Sequence, residues 1–175
     1  MKKKAIKSKE VSFTQAINIS ALWCKEWSDE LLSDEVLADR LAELIKDKNG
    51  LRGFFAYALS DKNCHLLDKL PSSIIFMLIE GGIDVVEITV KNLSMSSAQI
   101  IHHRREKNQE YESSSENISE RCKGILRLLE TNLVSKTVNQ VFKDLDNMGN
   151  SFDNSTKYDS EQKEFIKKQI LDIAQ

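Results

Sequence analysis

The sequence predicts an all-α fold, a compact bundle of six to seven helices around a long central antiparallel helical hairpin. The 175 residues include one proline and six glycines, too few for the many turns of a β-sandwich or barrel. Apolar residues also recur at intervals of three and four along most of the chain, which is typical of amphipathic helices. With 41% apolar and 30% charged residues, the composition is that of a soluble globular protein.

The N-terminal part predicts a flexible basic arm followed by two amphipathic helices. Residues 1–10 contain five lysines and one glutamate, which favours a mobile, solubilising terminus. Ser12 suits the N-cap of the first helix, whose buried face would carry Ala16, Ser20, Trp23, Trp27 and Leu31. Ser33 suits the start of the second helix, and Asn49-Gly50 is its stop signal. The predicted buried face of that helix is Val36, Leu37, Leu41, Leu44 and Ile45.

Residues 51–79 predict two further helices. The stretch 51–61 contains two phenylalanines and a tyrosine, which also suit a strand, but no pairing partner is evident and we expect a helix. Pro71 falls where a first-turn proline belongs, at the start of a short apolar helix that ends near Ile79. Gly81-Gly82 then breaks the chain.

The centre of the fold is predicted to be a hairpin of two long helices, at about 83–107 and 109–132. At about 100° per residue, one face of the first helix carries Val86, Val90, Leu93, Ser97, Ile100 and Ile101. The apolar positions of the second are Tyr111, Ser115, Ile118, Cys122, Ile125, Leu129 and Leu133. The connection is short, so the helices must run antiparallel. Equal distances from the turn predict the contacts Ile101–Ser115, Leu93–Cys122, Val90–Ile125 and Val86–Leu129.

A second row on the opposite side of the first hairpin helix consists of Ile88, Met95 and His102. A helix that is apolar on two sides has partners on both. Residues 83–107 are therefore either the central helix of the fold or a core helix whose back face meets another chain. A homodimer would assign this row to the subunit interface.

The C-terminal part predicts a tethered helix. The helical domain covers residues 11–147 and ends with a shorter helix at Val134–Leu145, whereas residues 148–175 form a polar linker and an amphipathic helix. Asp159 or Ser160 begins that helix, and its apolar positions are Phe165, Ile166, Ile170 and Ile173. It could fold back on the domain, dock a partner or stay disordered.

The stretch IIHHRREKN at 100–108 concentrates the side chains that ligate metals or move protons. His102 and Glu106 have the i, i+4 spacing of helical metal ligands, but they are only two. The adjacent His102 and His103 point about 100° apart on a helix and do not easily share one ion. We therefore expect no metal and no cofactor, with His102 and Glu106 as the candidate ligands if one binds.

A structural role explains the same stretch better. Cations at a helix C-terminus complement its partial negative charge, and the next helix begins with several acids. Because the hairpin sets these ends side by side, we expect Arg104 to lay its stem along the core and pair with Glu112 as a clasp. On this basis Arg104→Ala lowers thermal stability and Arg105→Ala does not.

Composition and motifs argue against several classes of function. A formal net charge of −2 does not fit a dedicated nucleic-acid binder. The longest apolar run, residues 74–79, is far shorter than the roughly 20 residues of a membrane span. The three cysteines form no CxxC motif, and no GxSxG elbow or glycine-rich phosphate loop occurs. We expect a soluble, cytoplasmic protein without membrane insertion, and the sequence does not favour an enzyme.

Three strings carry a resemblance: RGFF at 52–55, KNLSMSSAQIIHHRR at 91–105 and ERCKGILRLL at 120–129. Together they resemble a small all-helical family of uncharacterised cyanobacterial proteins. The resemblance covers about half of the chain, and neither the basic arm nor the tail belongs to it. It implies a soluble all-α bacterial protein and no known activity, substrate or cofactor.

The leading interpretation is a non-catalytic helical protein–protein interaction module, an adaptor, assembly or regulatory factor with a partner of unknown identity. Its candidate interaction surface is Ile88, Met95, His102, Phe165, Ile166 and Ile170. One alternative is a small enzyme or metal-dependent regulator that uses His102, His103 and Glu106. Another is a weak nucleic-acid binder that uses the lysine arm with Arg104 and Arg105.

Overall fold

The fold of the chain is all-α, as the sequence predicts. A computed structural model describes residues 11–146 and 158–174, and these residues form helices and no strand. The helices are α1 (Phe13–Ser28), α2 (Asp34–Ile45), α3 (Lys48–Ser60), α4 (Leu66–Lys69), α5 (Ser72–Glu80), α6 (Gly82–Arg105), α7 (Gln109–Leu126), α8 (Thr131–Asp146) and α9 (Ser160–Leu171). A 3-10 turn, Asp172–Ala174, follows α9. The predicted basic arm (1–10) and most of the predicted linker (147–157) lie outside the described residues.

Polar caps determine where several helices begin. Ser12 Oγ accepts a hydrogen bond from the Gln15 amide (3.2 Å), and Gln15 Oε1 accepts one from the Ser12 amide (3.0 Å). Ser33 caps α2 through the Val36 amide, and Asp159 with Gln162 repeats the reciprocal arrangement at α9. These side chains satisfy amide groups that have no partner inside the helix, so the starts predicted at these positions are the observed ones.

The predicted central hairpin is formed by α6 and α7. Helix α6 packs most extensively against α7 and also contacts α3, α5, α8 and α9, so it is the central helix of the bundle. The eight residues predicted to face each other in the hairpin are all buried. The hydroxyls of Thr89, Ser94 and Ser97 donate to carbonyls four residues earlier, which satisfies them inside the core.

The N-terminal helices form the remainder of the core. Helix α1 packs against α3, and α2 packs against α5 and α3. Residues 51–60 are helical, as expected. The rings of Phe54 and Phe55 in this helix are fully buried, with centroids 5.4 Å apart in an edge-to-face arrangement. This arrangement adds to the stabilisation from burial of the two rings.

Several predicted boundaries are wrong. Asn49-Gly50 does not end a helix, because Asp47 Oδ1 accepts hydrogen bonds from both amides (2.8 and 3.0 Å) and thereby starts α3. The helix predicted at 109–132 ends at Leu126, and a new helix begins at Thr131. The prediction ran too far because the apolar spacing continues through the turn between them. Leu31 lies beyond the end of α1 and is 72% exposed. Val36, expected in the buried face of α2, is also exposed.

The described part of the domain contains eight α-helices before residue 147, against the six to seven predicted. The unpredicted element is α4, a single turn with no room for a periodic pattern. The two-glycine break is present: Gly82 has φ +58°, a conformation that favours glycine, and it redirects the chain between α5 and α6.

The C-terminal helix folds back on the domain. Helix α9 packs along α6, with Ile166 and Ile170 buried in the contact. Gln162 Nε2 donates to the Ala98 carbonyl of α6 (3.2 Å). Beyond the other end of α9, Lys123 Nζ of α7 lies 2.7 Å from Asp172 Oδ2, and Lys123 is itself buried. Contacts at both ends therefore hold α9 in place.

Candidate functional site

The tip of the central hairpin is held by the Arg104–Glu112 clasp. Arg104 Nε donates to Glu112 Oε1 at 2.8 Å, and the guanidinium carbon lies 5.8 Å from the centre of the Phe165 ring. Arg104 thus links α6 to α7 and α9. The sequence suggested that the stem of Arg104 lies along the core, but the side chain is half exposed. An exposed pair of this kind contributes only about 0–1 kcal/mol.

The two histidines of the tip do not converge on a common ligand. Their ring centroids are 5.2 Å apart, and the His103 ring packs on Tyr111 at 5.4 Å. His102 and Glu106 are both exposed at the end of α6. Within residues 11–146 and 158–174, no group of three or more His, Cys, Asp or Glu side chains is placed to hold a metal ion.

Arg105 holds the start of α9, a role that the sequence did not reveal. Its Nη1 donates to Asp159 Oδ2 at 2.6 Å and its Nε donates to Glu161 Oε2 at 3.1 Å. Nη2 also donates to Asp159 Oδ1 at 3.2 Å and makes a closer contact with Glu161 Oε2. The prediction that Arg105→Ala does not lower thermal stability assumed that Arg105 has no partner outside the hairpin, whereas its partners Asp159 and Glu161 belong to the start of α9.

We expect Arg105→Ala to loosen α9 from α6. The hydrogen bond from Arg105 and then the amide of Gln162 lower the pKa of the Asp159 carboxyl to about 2. The pKa of an Asp in an unfolded chain is about 3.9. The contact with Arg105 therefore stabilises the docked state fully above that pH, and this stabilisation is lost as the pH falls through about 2. In hydrogen exchange, peptides that cover α9 should exchange faster in Arg105→Ala than in the wild type at neutral pH. Protection of wild-type α9, corrected for the intrinsic exchange rate at each pH, should fall to that of Arg105→Ala only below about pH 3.

The matched control is Arg52→Ala, which removes another arginine, one on α3 whose guanidinium lies over the Phe13 ring. It should leave α9 exchange at the wild-type rate. Unchanged α9 exchange in Arg105→Ala would contradict the assigned role.

The structure separates the predicted interaction surface into two parts. Ile166 and Ile170 are buried against α6 and cannot meet a partner while α9 is docked, and Phe165 is half-buried under Arg104. The row Ile88, Met95 and His102 lies on the outer side of α6. Ile88 is half-buried, Met95 is 42% exposed and His102 is exposed.

An apolar cluster at the turn between α5 and α6 was not predicted. Phe76 is 67% exposed, Ile79 41% and Ile83 38%, and we call these three residues the open corner. Phe76 and Ile79 are three residues apart on α5 and share one face. Their exposure could not be read from the sequence, because residues 74–79 are almost uniformly apolar and show no periodicity that separates the core side from the outer side.

Acidic side chains surround the open corner. Residues 70–90 include Glu80, Asp84 and Glu87 and neither lysine nor arginine. All three are exposed, and within the described part of the chain none of them forms an ion pair. Three exposed acids, Glu80, Asp84 and Glu87, thus lie beside the open corner in the chain, and Lys91 follows Glu87 by one helical turn.

A second site consists of two thiols that the fold brings together. Cys24 on α1 and Cys64 in the α3–α4 connection are both free and buried, and both line one pocket. The neighbouring Cys24 thiol, the Leu66 amide and the nearby Arg121 guanidinium lower the pKa of Cys64 below its usual value. The pKa of Cys24 is raised, through the Cys64 thiol beside it and through burial. No pattern in the sequence indicates this pair, since the residues are far apart in the chain.

Arg121 supports this region from α7. Its Nε and Nη2 each lie 2.7 Å from an oxygen of Asp68, and the side chain is only 11% exposed. This hydrogen bonding keeps the pKa of Asp68 below its usual value. The guanidinium also donates to the carbonyl oxygens of Ala58, Leu59, Asp61 and Cys64. Arg121 thereby satisfies carbonyls at the end of α3 that have no helical partner.

These features define an all-α bundle with a self-docked C-terminal helix, an open apolar corner and a buried thiol pair. The chain belongs to the family described as Uncharacterised conserved protein UCP020893, whose sequence model matches residues 12–173. No curated protein and no solved structure matches the chain. No helix in the described ranges has both the length and the apolarity to cross a membrane.

Proposed function

We propose that the chain is a non-catalytic helical interaction module that binds a protein partner at the open corner. The observation that carries this proposal is the exposure of Phe76, Ile79 and Ile83 next to one another in sequence, within an otherwise well-packed bundle. Scattered apolar side chains are normal on a protein surface, whereas a cluster with a polar rim is typical of a binding site. Phe76 is the natural central contact, since buried aromatic residues dominate interface energetics.

The chain's own amphipathic helix does not occupy this site. Helix α9 packs along α6 and is fixed near its ends by Arg105 and Lys123. Its buried residues Ile166 and Ile170 already have a place in the core. The open corner therefore suits a segment from another molecule.

The charge at the rim selects the chemistry of that segment. A partner with apolar side chains flanked by lysine or arginine would pair with Glu80, Asp84 and Glu87 and would be steered toward the site. A second copy docked corner to corner would instead set these acids against the same acids. We therefore favour a basic, apolar segment of a different protein over a homodimer through this surface. The row Ile88, Met95 and His102 lies roughly a third of a turn around α6 from Ile83 and is a separate candidate surface.

The alternative functions use residues that are otherwise engaged. Arg104 and Arg105 pair with Glu112, Asp159 and Glu161, so their charges are balanced within the chain. His103 is stacked on Tyr111 and pairs with no carboxylate among the described residues. No observation favours a catalytic or nucleic-acid site over the open corner.

The proposal also covers where the protein works. We propose the cytoplasm of a bacterium, a reducing compartment that suits free thiols at Cys24, Cys64 and Cys122. Cyanobacterial origin follows from the resemblance and stays a prediction.

The proposal is tested with a double variant, Phe76→Ser with Ile79→Ser, and the matched control Leu22→Ser, an exposed leucine on α1. Tagged wild-type protein should capture a specific protein from cells of its source organism, and the double variant should lose it while the control retains it. A synthetic peptide that spans the contact segment of the captured protein should then bind purified wild-type protein more weakly as salt is raised. A peptide that binds the wild type and the double variant equally well would overturn the proposal. So would sedimentation that reports a dimer broken by the double variant, because the occupant would then be a second copy.

A further inference from the structure

We propose that Cys24 and Cys64 form a thiol–disulfide exchange site for low-molecular-weight disulfides, in which Cys64 attacks and Cys24 resolves. The two thiols line a pocket of about 450 Å³ between α1 and the α3–α4 connection. This site is separate from the open corner, so it adds an activity that the interaction function does not require.

Several groups surround the sulfur of Cys64. Cys24 and Tyr57 line the same pocket as Cys64, and the Leu66 amide follows it two residues later in the chain. The positive guanidinium of Arg121 lies behind this region, hydrogen-bonded to the Cys64 carbonyl at 2.9 Å. Donors and a cation favour the thiolate, which is the nucleophilic form of cysteine. The carboxylate of Asp61 acts in the opposite direction, and the net result is the lowered pKa of Cys64.

The third cysteine shows what burial does without such groups. Cys122 lies on α7 inside the core, is fully buried, and has its pKa raised by burial alone. An inert structural thiol has these properties. Cys64 differs from Cys122 in its surroundings and in its access to a pocket, and the chain thereby contains its own negative control.

The pocket suits a disulfide derived from amino acids. Its wall includes Trp27 and Tyr57, and its rim includes Lys25, Asp29 and His65, which are exposed. Lys25 and Asp29 pair with each other, so the rim presents adjacent groups of both signs to the ammonium and carboxylate ends of compounds such as cystine or oxidised glutathione. A volume of about 450 Å³ is within the range of small-molecule sites.

The reaction balances without another reagent. The Cys64 thiolate attacks one sulfur of RS–SR, a mixed disulfide between Cys64 and RS forms, and RS⁻ leaves and takes up a proton. Cys24 then loses its proton and attacks the Cys64 sulfur, so the Cys24–Cys64 disulfide forms and the second RS⁻ leaves as RSH. Two protein thiols are oxidised and one disulfide is reduced to two thiols.

The test treats reduced full-length protein with excess oxidised glutathione at neutral pH, followed by acid quenching, alkylation and peptide mass mapping. We expect a linked peptide pair that contains Cys24 and Cys64, while Cys122 remains a free thiol until the protein is denatured. Cys24→Ser should stop at a glutathione adduct on Cys64. Cys64→Ser should give neither the disulfide nor a rapid adduct on Cys24, and Cys122→Ser should react like the wild type.

Failure is equally clear. The proposal is overturned if no Cys24–Cys64 link forms while an unstructured single-cysteine peptide in the same tube is fully converted. It is also overturned if the link involves Cys122, or if Cys64→Ser leaves the rate at Cys24 unchanged. These results do not depend on partner binding, so they leave the open corner proposal untouched.

A second measurement needs no variant. The rate at which iodoacetamide alkylates Cys64 in the native wild-type protein should rise with a midpoint below that of an ordinary cysteine. An ordinary cysteine would give a midpoint near about 8.5. A midpoint at or above the ordinary value would contradict the assignment of Cys64 as the attacking thiol.

Discussion

Arg121→Ala is expected to lower the free energy of unfolding by about 3 kcal/mol. The variant loses two hydrogen bonds to Asp68 and four to backbone carbonyls. The carbonyls of Ala58, Leu59 and Cys64 belong to buried residues at the end of α3 and in the connection to α4, and the Asp61 carbonyl also accepts from the Cys64 amide at 3.3 Å. The cost is large because these acceptors remain in the variant.

Two further variants show whether the several hydrogen bonds of the Arg121 guanidinium, rather than its charge alone, stabilise the fold. Arg121→Lys keeps the charge but cannot bridge Asp68 and the carbonyls at once, so it should lose most of the same stability. Arg127→Ala removes another arginine, at the C-terminal end of α7, that makes a single hydrogen bond, to the Asp172 carbonyl, and a long ion pair with the Asp172 carboxylate, and it should cost less than about 1 kcal/mol. Denaturant titration gives all three values. A loss in Arg121→Ala no greater than in Arg127→Ala would contradict the structural role.

Gly53→Ala and Gly124→Ala are expected to change stability in opposite directions. A Cβ at Gly53 would lie 2.4 Å from the Cβ of Ala16 and 2.9 Å from the Ile17 amide nitrogen, closer than atoms can approach. Helices α1 and α3 would have to separate, which costs about 2 kcal/mol by analogy with other overpacked cores. Gly124 lies in α7 with nothing within 4 Å of an added Cβ. Alanine there should stabilise the helix by about 0.5–1 kcal/mol.

The pair is informative because the chemical change is identical and the intrinsic helix preference favours alanine at both positions. Only the closeness of α1 and α3 at Gly53 distinguishes them. Thermal unfolding of both variants should show a lower midpoint for Gly53→Ala and a higher one for Gly124→Ala. Equal shifts of the same sign would show that α1 and α3 do not approach so closely.

The sequence predicted the long helices because their information is local and repeated. In α6 the buried face recurs over more than six turns, so the positions of Val86, Val90 and Leu93 are over-determined. Caps such as Ser12 and Ser33 lie beside the helices that they start and can be read directly. The ends were harder: the turn after Leu126 keeps Leu129 and Leu133 in register with α7, and spacing alone cannot detect it.

The sequence did not predict most of the candidate sites, because their residues are distant from one another in the chain. Arg121 and Asp68 are 53 residues apart, and nothing near either of them indicates the partner. The thiol pair likewise exists only after α1 and the α3–α4 connection have packed. At the hairpin tip the Arg104–Glu112 contact followed from a short turn, whereas the partners of Arg105 come from α9, whose place on α6 the sequence left open. Local patterns predict elements, and the pairing of distant polar groups depends on how those elements pack.

Cross-linking at Phe76 tests the open corner as a binding site most directly. A photoreactive phenylalanine analogue placed at Phe76, in the full-length chain expressed in cells of its source organism, should link on irradiation to one other protein. The linked segment should be apolar and flanked by lysine or arginine, to match Glu80, Asp84 and Glu87. The same analogue at Leu22 should give no such product. No adduct at position 76, or the same adducts at positions 76 and 22, would contradict the open corner as a binding site.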